Sequence, residues 1–272
     1  MDYFDKAETW DRATLETVQL ARLKTTIQQA SRAPFYAKRL AEAGVSADNL
    51  RSLEDIRRIP FTSKDDLRSQ YPYGLATVPH SEFVRMHCSS GTTGTPVAVC
   101  YTQPDINSWA DLMARCLYMA GVRKDDVFQN MSGYGLFTGG LGIHFGAERL
   151  GCMTIPAGAG NSKRQLKLVK DFGTTVAHIL PSYALHLGTT LIEEGEDPKA
   201  LSLRIACVGA EPYTEETRRR IEALFDMKVY NSYGLSEMNG PGVAFECQYQ
   251  NGLHLWEDAY LLEIIDPNTG KL

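Results

Sequence analysis

A chain of 272 residues is long enough for one large domain or roughly two, and so for a sizeable buried core. Its 28 Lys plus Arg against 33 Asp plus Glu give a net charge of −5, mixed in sign along the chain with no long basic run, which argues against a nucleic-acid surface. No stretch approaches the roughly 18 consecutive apolar residues of a membrane span, and the acidic, polar start MDYFDKAETWDR is unlike a signal peptide, so no membrane partner and a cytoplasmic location are expected.

In chain order, residues 9–44 read as mostly helix, with Leu20, Leu23 and Ile27 along one apolar face. A second helical segment starts near Leu53, and Thr62-Ser63 suits a cap for Lys64 to Ser69. From Glu82 the pattern changes. Phe83, Val84 and Met86, then Val97, Val99 and Tyr101, form two β-rich runs around a Gly/Ser/Thr cluster, which predicts a strand, a tight polar loop and a second strand.

Helices and short β-rich runs then alternate. A helix near 107–119 precedes a strand at 127–131, and a helix near 142–150 precedes one at 152–155. Helices at 163–171 and 183–194 alternate with strands at 176–180 and 205–208; Thr214 then opens a helix with Glu215 and Glu216 in its first turn, followed by a strand at 229–232. This spacing predicts an α/β sheet covered by helices on both faces. After Gly242 the runs 243–245, 254–256 and 260–265 read as strands, the start of a β subdomain. The six cysteines (Cys88, Cys100, Cys116, Cys152, Cys207 and Cys247) are scattered without a CxxC pair and read mostly as reduced, buried, small apolar residues.

The sharpest motif is Ser89-Ser90-Gly91-Thr92-Thr93-Gly94-Thr95-Pro96. Two glycines let successive N–H groups turn toward one anion, and the hydroxyls can donate to phosphate or ligate magnesium. The spacing and lysine of a Walker loop are absent, and two flanking strands replace its strand-to-helix passage. An ordinary hydroxyl-rich hairpin turn is the plain alternative.

Tyr233-Gly234-Leu235-Ser236-Glu237 follows a predicted strand. A carboxylate near triphosphate would be repelled unless it holds a magnesium ion bridging phosphate oxygens, so Glu237 is the metal candidate, with a surface acidic turn as the alternative. A serine-hydrolase elbow would need glycine where Met238 stands. Gly209-Ala210-Glu211-Pro212 follows the strand at 205–208, where open α/β sheets expose ligand sites. The run from Tyr134 to His144 packs two aromatics and four glycines into eleven residues, suited to a flat apolar ligand or to a glycine loop packed on the core. Cys247 and His254 could supply half of a zinc site, or a buried thiol and a turn histidine.

The run Arg85-Met86-His87-Cys88 leading into Ser89–Gly94 resembles the phosphate loop of the adenylate-forming superfamily, and most closely that of the phenylacetate-CoA ligase family. Many members of that superfamily carry a lysine at or beside the position of Thr95; here Thr95 and Val97 stand there, leaving backbone amides and Mg²⁺ to balance the charge. The resemblance covers the whole chain and implies an α/β fold of the adenylate-forming N-terminal type. Residues 1–82 would form a helical region, 83–242 the ATP- and acyl-binding region and 243–272 the start of a β subdomain. The family continues with a ribose-binding aspartate, a hinge and a small domain bearing a catalytic lysine. None of these can be assigned here, so a truncated N-terminal portion with impaired turnover is expected.

The implied reaction joins an aryl or short acyl carboxylate to ATP, giving acyl-AMP, and then to CoA. Thr92 and Glu237 are implied to act in catalysis, and Ser89, Ser90, Gly91, Thr92, Thr93, Gly94 and Thr95 to hold phosphates. Gly209, Ala210, Glu211, Pro212, Asn231, Tyr233, Gly234 and Ser236 would border the nucleotide. Tyr134, Phe137, Gly139, Gly140 and Ala147 would surround the acid. Some relatives carry a structural zinc, which makes Cys247 and His254 the candidate ligands, and members are often homodimers. Two other classes stay open: an acyl-AMP-forming enzyme with an acceptor other than CoA, and a non-catalytic module that binds nucleotide or aryl acid.

Overall fold

The computed structural model describes residues 3–89, 95–136 and 138–270. Two helices open the chain, α1 (Arg12–Ala30) and α2 (Pro34–Glu42), separated where Pro34 takes the first position of α2 and cannot continue α1. On α1 the predicted apolar face is only partly covered: Ile27 is buried, Leu20 and Leu23 are half-buried, and the other buried residue is Gln19. A 3₁₀ segment, Leu53–Arg58, leads to α3 (Lys64–Ser69), whose cap is Ser63 in reciprocal hydrogen bonding with Asp66.

Strands β1 (Phe83–Cys88) and β2 (Ala98–Thr102) pair antiparallel as a separate two-stranded sheet. Thr102 caps α4 (Gln103–Met119) through a capping box with Asp105, so this helix starts four residues before the apolar periodicity alone indicates. There follow β3 (Val127–Asn130), α5 (Thr138–Leu150), β4 (Met153–Ile155), α6 (Ser162–Phe172) and β5 (Val176–His178). Next come α7 (Pro181–Glu193), β6 (Ile205–Gly209), α8 (Glu215–Phe225), β7 (Lys228–Leu235), β8 (Gly240–Glu246) and β9 (Leu253–Leu255).

Seven of these strands form one sheet in the order β4-β3-β5-β6-β7-β8-β9, parallel from β4 to β7 and antiparallel through β8 and β9. Its strands alternate their side chains between two cores. Val176, Ile205, Cys207 and Tyr230 pack with Trp109, Met113 and Ile143 of α4 and α5. Ala177, Ala206, Val208 and Val229 pack with Leu166, Leu187 and Ile221 of α6, α7 and α8. Both faces are thus apolar, as expected for a parallel sheet between helix layers.

Strands β8 and β9 lengthen the main sheet. One expectation needs correction. The run 260–265, read as a strand, has no strand conformation: Leu262 and Ile264 are 69% and 82% exposed. An alternating apolar run forms a strand only where a neighbouring strand supplies hydrogen bonds and a face to cover, and none among the described residues does so here.

The first helix is fastened to the far end of the sequence. Arg12 pairs with Glu257 at 2.9 Å, Gln19 Nε2 donates to the Glu257 carbonyl at 2.8 Å, and Arg22 lies 3.2 Å from Asp258. Asp258 also meets the buried Arg115 of α4 at 3.0 Å, while that guanidinium lies over Trp256. All six cysteines are free, and burial pushes the thiols of Cys116 and Cys207 well up.

Candidate active site

Ser90, Gly91, Thr92, Thr93 and Gly94 lie outside the described residues, but both ends of their loop are held. Ser89 N–H donates to the Val97 carbonyl, and Val97 N–H donates to Ser89 Oγ, each at 2.9 Å. Thr95 is exposed. This pair of hydrogen bonds closes the hairpin at its base.

Glu237 sits on a single 3₁₀ turn, Ser236–Met238, directly after β7. Glu237 belongs to the wall of a cavity of about 360 Å³ together with Val97 and with Ala98, Val99 and Cys100 of β2. Lys64 of α3 is its ion partner at 3.3 Å. Nothing in the sequence marks Lys64, which carries no motif of its own and reaches the site only because α3 packs there.

At the carboxyl ends of β6 and β7, Gly209, Ala210, Glu211, Pro212, Asn231, Tyr233 and Gly234 line an open groove of about 410 Å³. Gly209 is required by contact: a Cβ there would stand 2.6 Å from the Ser232 carbonyl oxygen. Ala210 holds a left-handed conformation, φ 65°, that reverses the chain beside it. Tyr233 is half exposed and open to a stacking ligand. Glu211, by contrast, turns away: its carboxylate accepts Ser182 N–H at 2.6 Å and Ser182 Oγ–H at 3.0 Å, capping α7 from outside. Its charge is spent on a helix N-terminus, which ties the groove's turn to α7.

Four residues of this groove continue into a smaller cavity of about 190 Å³ walled also by Thr138, Gly139, Ser236 and His178. Thr138 Oγ1 and Ser236 Oγ share a hydrogen bond at 3.2 Å, joining the start of α5 to the turn that carries Glu237. His178 ends β5, and its Nδ1 lies 2.9 Å from Asn130 Oδ1 and 3.1 Å from Ser132 Oγ. Burial pushes its pKa down to about 4, keeping the ring neutral. His178 belongs to none of the sequence motifs; its place as the last residue of a parallel strand, where such sheets bind ligands, is the one signal that could have found it.

A family model for AMP-binding enzymes matches residues 13–271. The chain belongs to the AMP-binding enzyme family. Among its curated relatives, the phenylacetate-coenzyme A ligase of Pseudomonas putida is 48% identical over 98% of the chain, and that of Thermus thermophilus 46% identical over all of it. The chain spans 62% and 61% of their respective lengths. Among solved structures, 2-hydroxyisobutyryl-CoA ligase in complex with 2-HIB-AMP and CoA superposes with a TM-score of 0.93 at 31% identity, covering all of this chain and 60% of that one.

In this member of the AMP-binding family the glycine run serves packing more than ligand approach. A Cβ on Gly140 would stand 2.2 Å from the Gly133 carbonyl oxygen, on Gly142 2.1 Å from Trp109 Cζ2, and on Gly146 2.3 Å from Met113 Cβ. The missing side chains let α5 lie directly against α4. Ala147, expected beside the acid, is fully buried in the core under the sheet, while Gly139 does line the smaller cavity. Phe137 lies outside the described residues. Tyr134 is half-buried, its hydroxyl 3.1 Å from His144 Nδ1, and His144 Nε2 is 3.1 Å from Glu148.

The zinc expectation is not met. Among the described residues no three His, Cys, Asp or Glu side chains gather to hold a metal. His254 is an exposed residue of the short edge strand β9, and Cys247 follows the end of β8, so among the described residues the two do not acquire the further ligands that tetrahedral zinc requires.

Proposed function

We propose that this chain carries the ATP and carboxylic-acid sites of an AMP-forming acid:CoA ligase of the phenylacetate-CoA ligase type, working in the cytoplasm on an aryl acid. The observation that carries the reading is the placement of Glu237 in one cleft with the strand that leaves the Ser/Thr/Gly loop. The similarity to phenylacetate-coenzyme A ligases along 98% of the chain supports the aryl substrate.

In this reading the acid attacks the α-phosphate of ATP to give acyl-AMP and pyrophosphate, and the CoA thiol then displaces AMP. The groove at Gly209–Pro212 and Tyr233 holds the nucleoside, and the smaller cavity beyond it holds the acid. The hydroxyls and amides of residues 89–95 would take the phosphates, and Glu237 would hold Mg²⁺. Glu237 fits that task because its present counter-ion is the end of a flexible, half-exposed lysine, which a divalent cation can replace. When bound, the metal supplies neutralisation of phosphate charge. The protein's own contribution is alignment: the hairpin base, the Thr138–Ser236 bond and the capped turn at Glu211 fix the two sites relative to each other.

Pyrophosphate release from ATP and phenylacetate, followed by thioester assay with CoA, tests this. Adenylate formation is expected. Nucleotide binding without adenylate formation from any acid would overturn the proposal.

A further inference from the structure

Three hydrogen bonds determine which nitrogen of His178 carries the proton. Asn130 Nδ2 donates to the Gly140 carbonyl at 2.7 Å, so Asn130 Oδ1 faces the other way, where it accepts Ser132 N–H at 3.1 Å and Ser132 Oγ–H at 2.8 Å. His178 Nδ1 is 2.9 Å from that same oxygen. An amide oxygen has no hydrogen to offer, so Nδ1 must be the protonated nitrogen. Nε2 is left as a bare acceptor.

That acceptor is free to meet a ligand. His87, the other deeply buried imidazole, has an Nε2 sealed in the core without a partner among the described residues. His178 instead is 8% exposed, its Nε2 has no partner among the described residues, and its ring forms part of the small cavity's wall. The two wall hydroxyls, Thr138 and Ser236, are already bonded to one another. The depressed pKa keeps Nε2 unprotonated at neutral pH.

We propose that His178 is a specificity-determining residue: its Nε2 accepts a hydrogen bond from a hydroxyl or N–H group on the bound acid, so that the site prefers hydroxylated aryl acids to their unsubstituted parents. This rests on reading the small cavity as the acid site. The physical reason is asymmetry of cost. A plain hydrocarbon edge placed against Nε2 strips that nitrogen of water and returns nothing, whereas a hydroxyl replaces the water it displaces.

The test titrates the full chain, with AMP present, against phenylacetate, its 2-, 3- and 4-hydroxy derivatives and mandelate by calorimetry at pH 7.5. At least one hydroxylated acid is expected to bind roughly tenfold more tightly than phenylacetate, the scale of one buried hydrogen bond. His178→Asn keeps a donor toward Asn130 but removes the cavity acceptor, and should bring that ratio close to one. His178→Gln, which carries an amide oxygen near the place of Nε2, should restore part of it. Thermal unfolding of both variants separates lost folding from lost preference, and the acid panel on the unaltered chain stands by itself. Acids that bind with no preference for a hydroxyl overturn the role of His178 alone. If no acid binds at all, the assignment of the cavity falls first and this inference with it.

Discussion

Glu237 Oε1 lies 3.3 Å from Lys64 Nζ, an ion pair that joins the helical N-terminal part of the chain to the turn beyond β7. The lysine is 54% exposed and the carboxylate 19%, so the pair adds little to stability, at most about 1 kcal/mol. Its value lies in holding a carboxylate ready beside the hairpin.

Glu237→Gln should therefore leave the thermal midpoint nearly unchanged. Binding of Mg-ATP should weaken at least roughly tenfold, in line with the loss of one charge-assisted contact. Calorimetry with and without magnesium checks this. Equal affinities for the variant and the unaltered chain in the presence of magnesium would exclude Glu237 as the metal's ligand.

A second prediction concerns the buried pair Arg218–Glu246. Both nitrogens of the guanidinium fork reach the carboxylate at 2.7 Å, with 8% and 5% of the side chains exposed, and Glu246 also accepts the Asn231 N–H at 2.7 Å. Glu246→Ala leaves the buried cation with only the largely exposed Glu215, 3.0 Å away, and frees Asn231, which borders the groove at the ends of β6 and β7. A loss of about 3–5 kcal/mol in urea unfolding is expected. A loss below about 1 kcal/mol would show the site to be far wetter than its burial indicates.

Gly142→Ala tests the contact between α4 and α5. The added methyl would meet Trp109, which stacks on Tyr101 with ring planes 11° apart and donates to the Pro241 carbonyl at 2.7 Å. Displacing that indole should cost about 1–3 kcal/mol and change tryptophan emission. An unaltered denaturation midpoint would mean that the helices can separate freely.

Acid should weaken the fold through His178. Its folded-state pKa near 4 lies below the ordinary 6.5, so between those values the unfolded chain takes up a proton that the folded chain refuses. Stability is then whole above about pH 6.5 and falls by roughly 1.4 kcal/mol per pH unit as pH drops toward 4. His87, whose pKa burial also lowers, adds to the slope. Unfolding measured at pH 7.5 and 5.0 should show the loss, and His178→Asn should flatten part of it. A slope identical in the variant would assign the effect elsewhere.

Local signals in the sequence located the elements well. Ser63 and Thr214 cap their helices as their side chains suggest, and the β-rich runs from 127 to 232 became the parallel strands. What local signals could not supply was pairing across distance. Glu211 lines the groove after β6, but nothing local shows that α7 brings Ser182 to its carboxylate. The glycines at 140 and 142 look like part of a ligand loop until the Gly133 carbonyl and Trp109 fill the space above them. Leu262 and Ile264 alternate like a strand, but alternation cannot say whether another strand stands alongside. In the candidate site the motifs at 209–212 and 233–237 were readable as motifs. Lys64 and His178 were not, because each gains its role only from the side chains that the tertiary fold brings to it.

The fastening of α1 has a consequence for how the molecule is made. A ribosome delivers Arg12, Gln19 and Arg22 long before it delivers residues 257–258, to which all three are bonded. The C-terminal end of α1 can pack early, because Ile27 and Leu23 meet Leu40, Val45 and Leu50, which follow closely in the chain. Its N-terminal half, which carries Arg12, Gln19 and Arg22, completes its docking only late in synthesis. A nascent chain stalled before Glu257 would carry the first half of that helix unfastened and open to proteases, even with the groove at the ends of β6 and β7 already built.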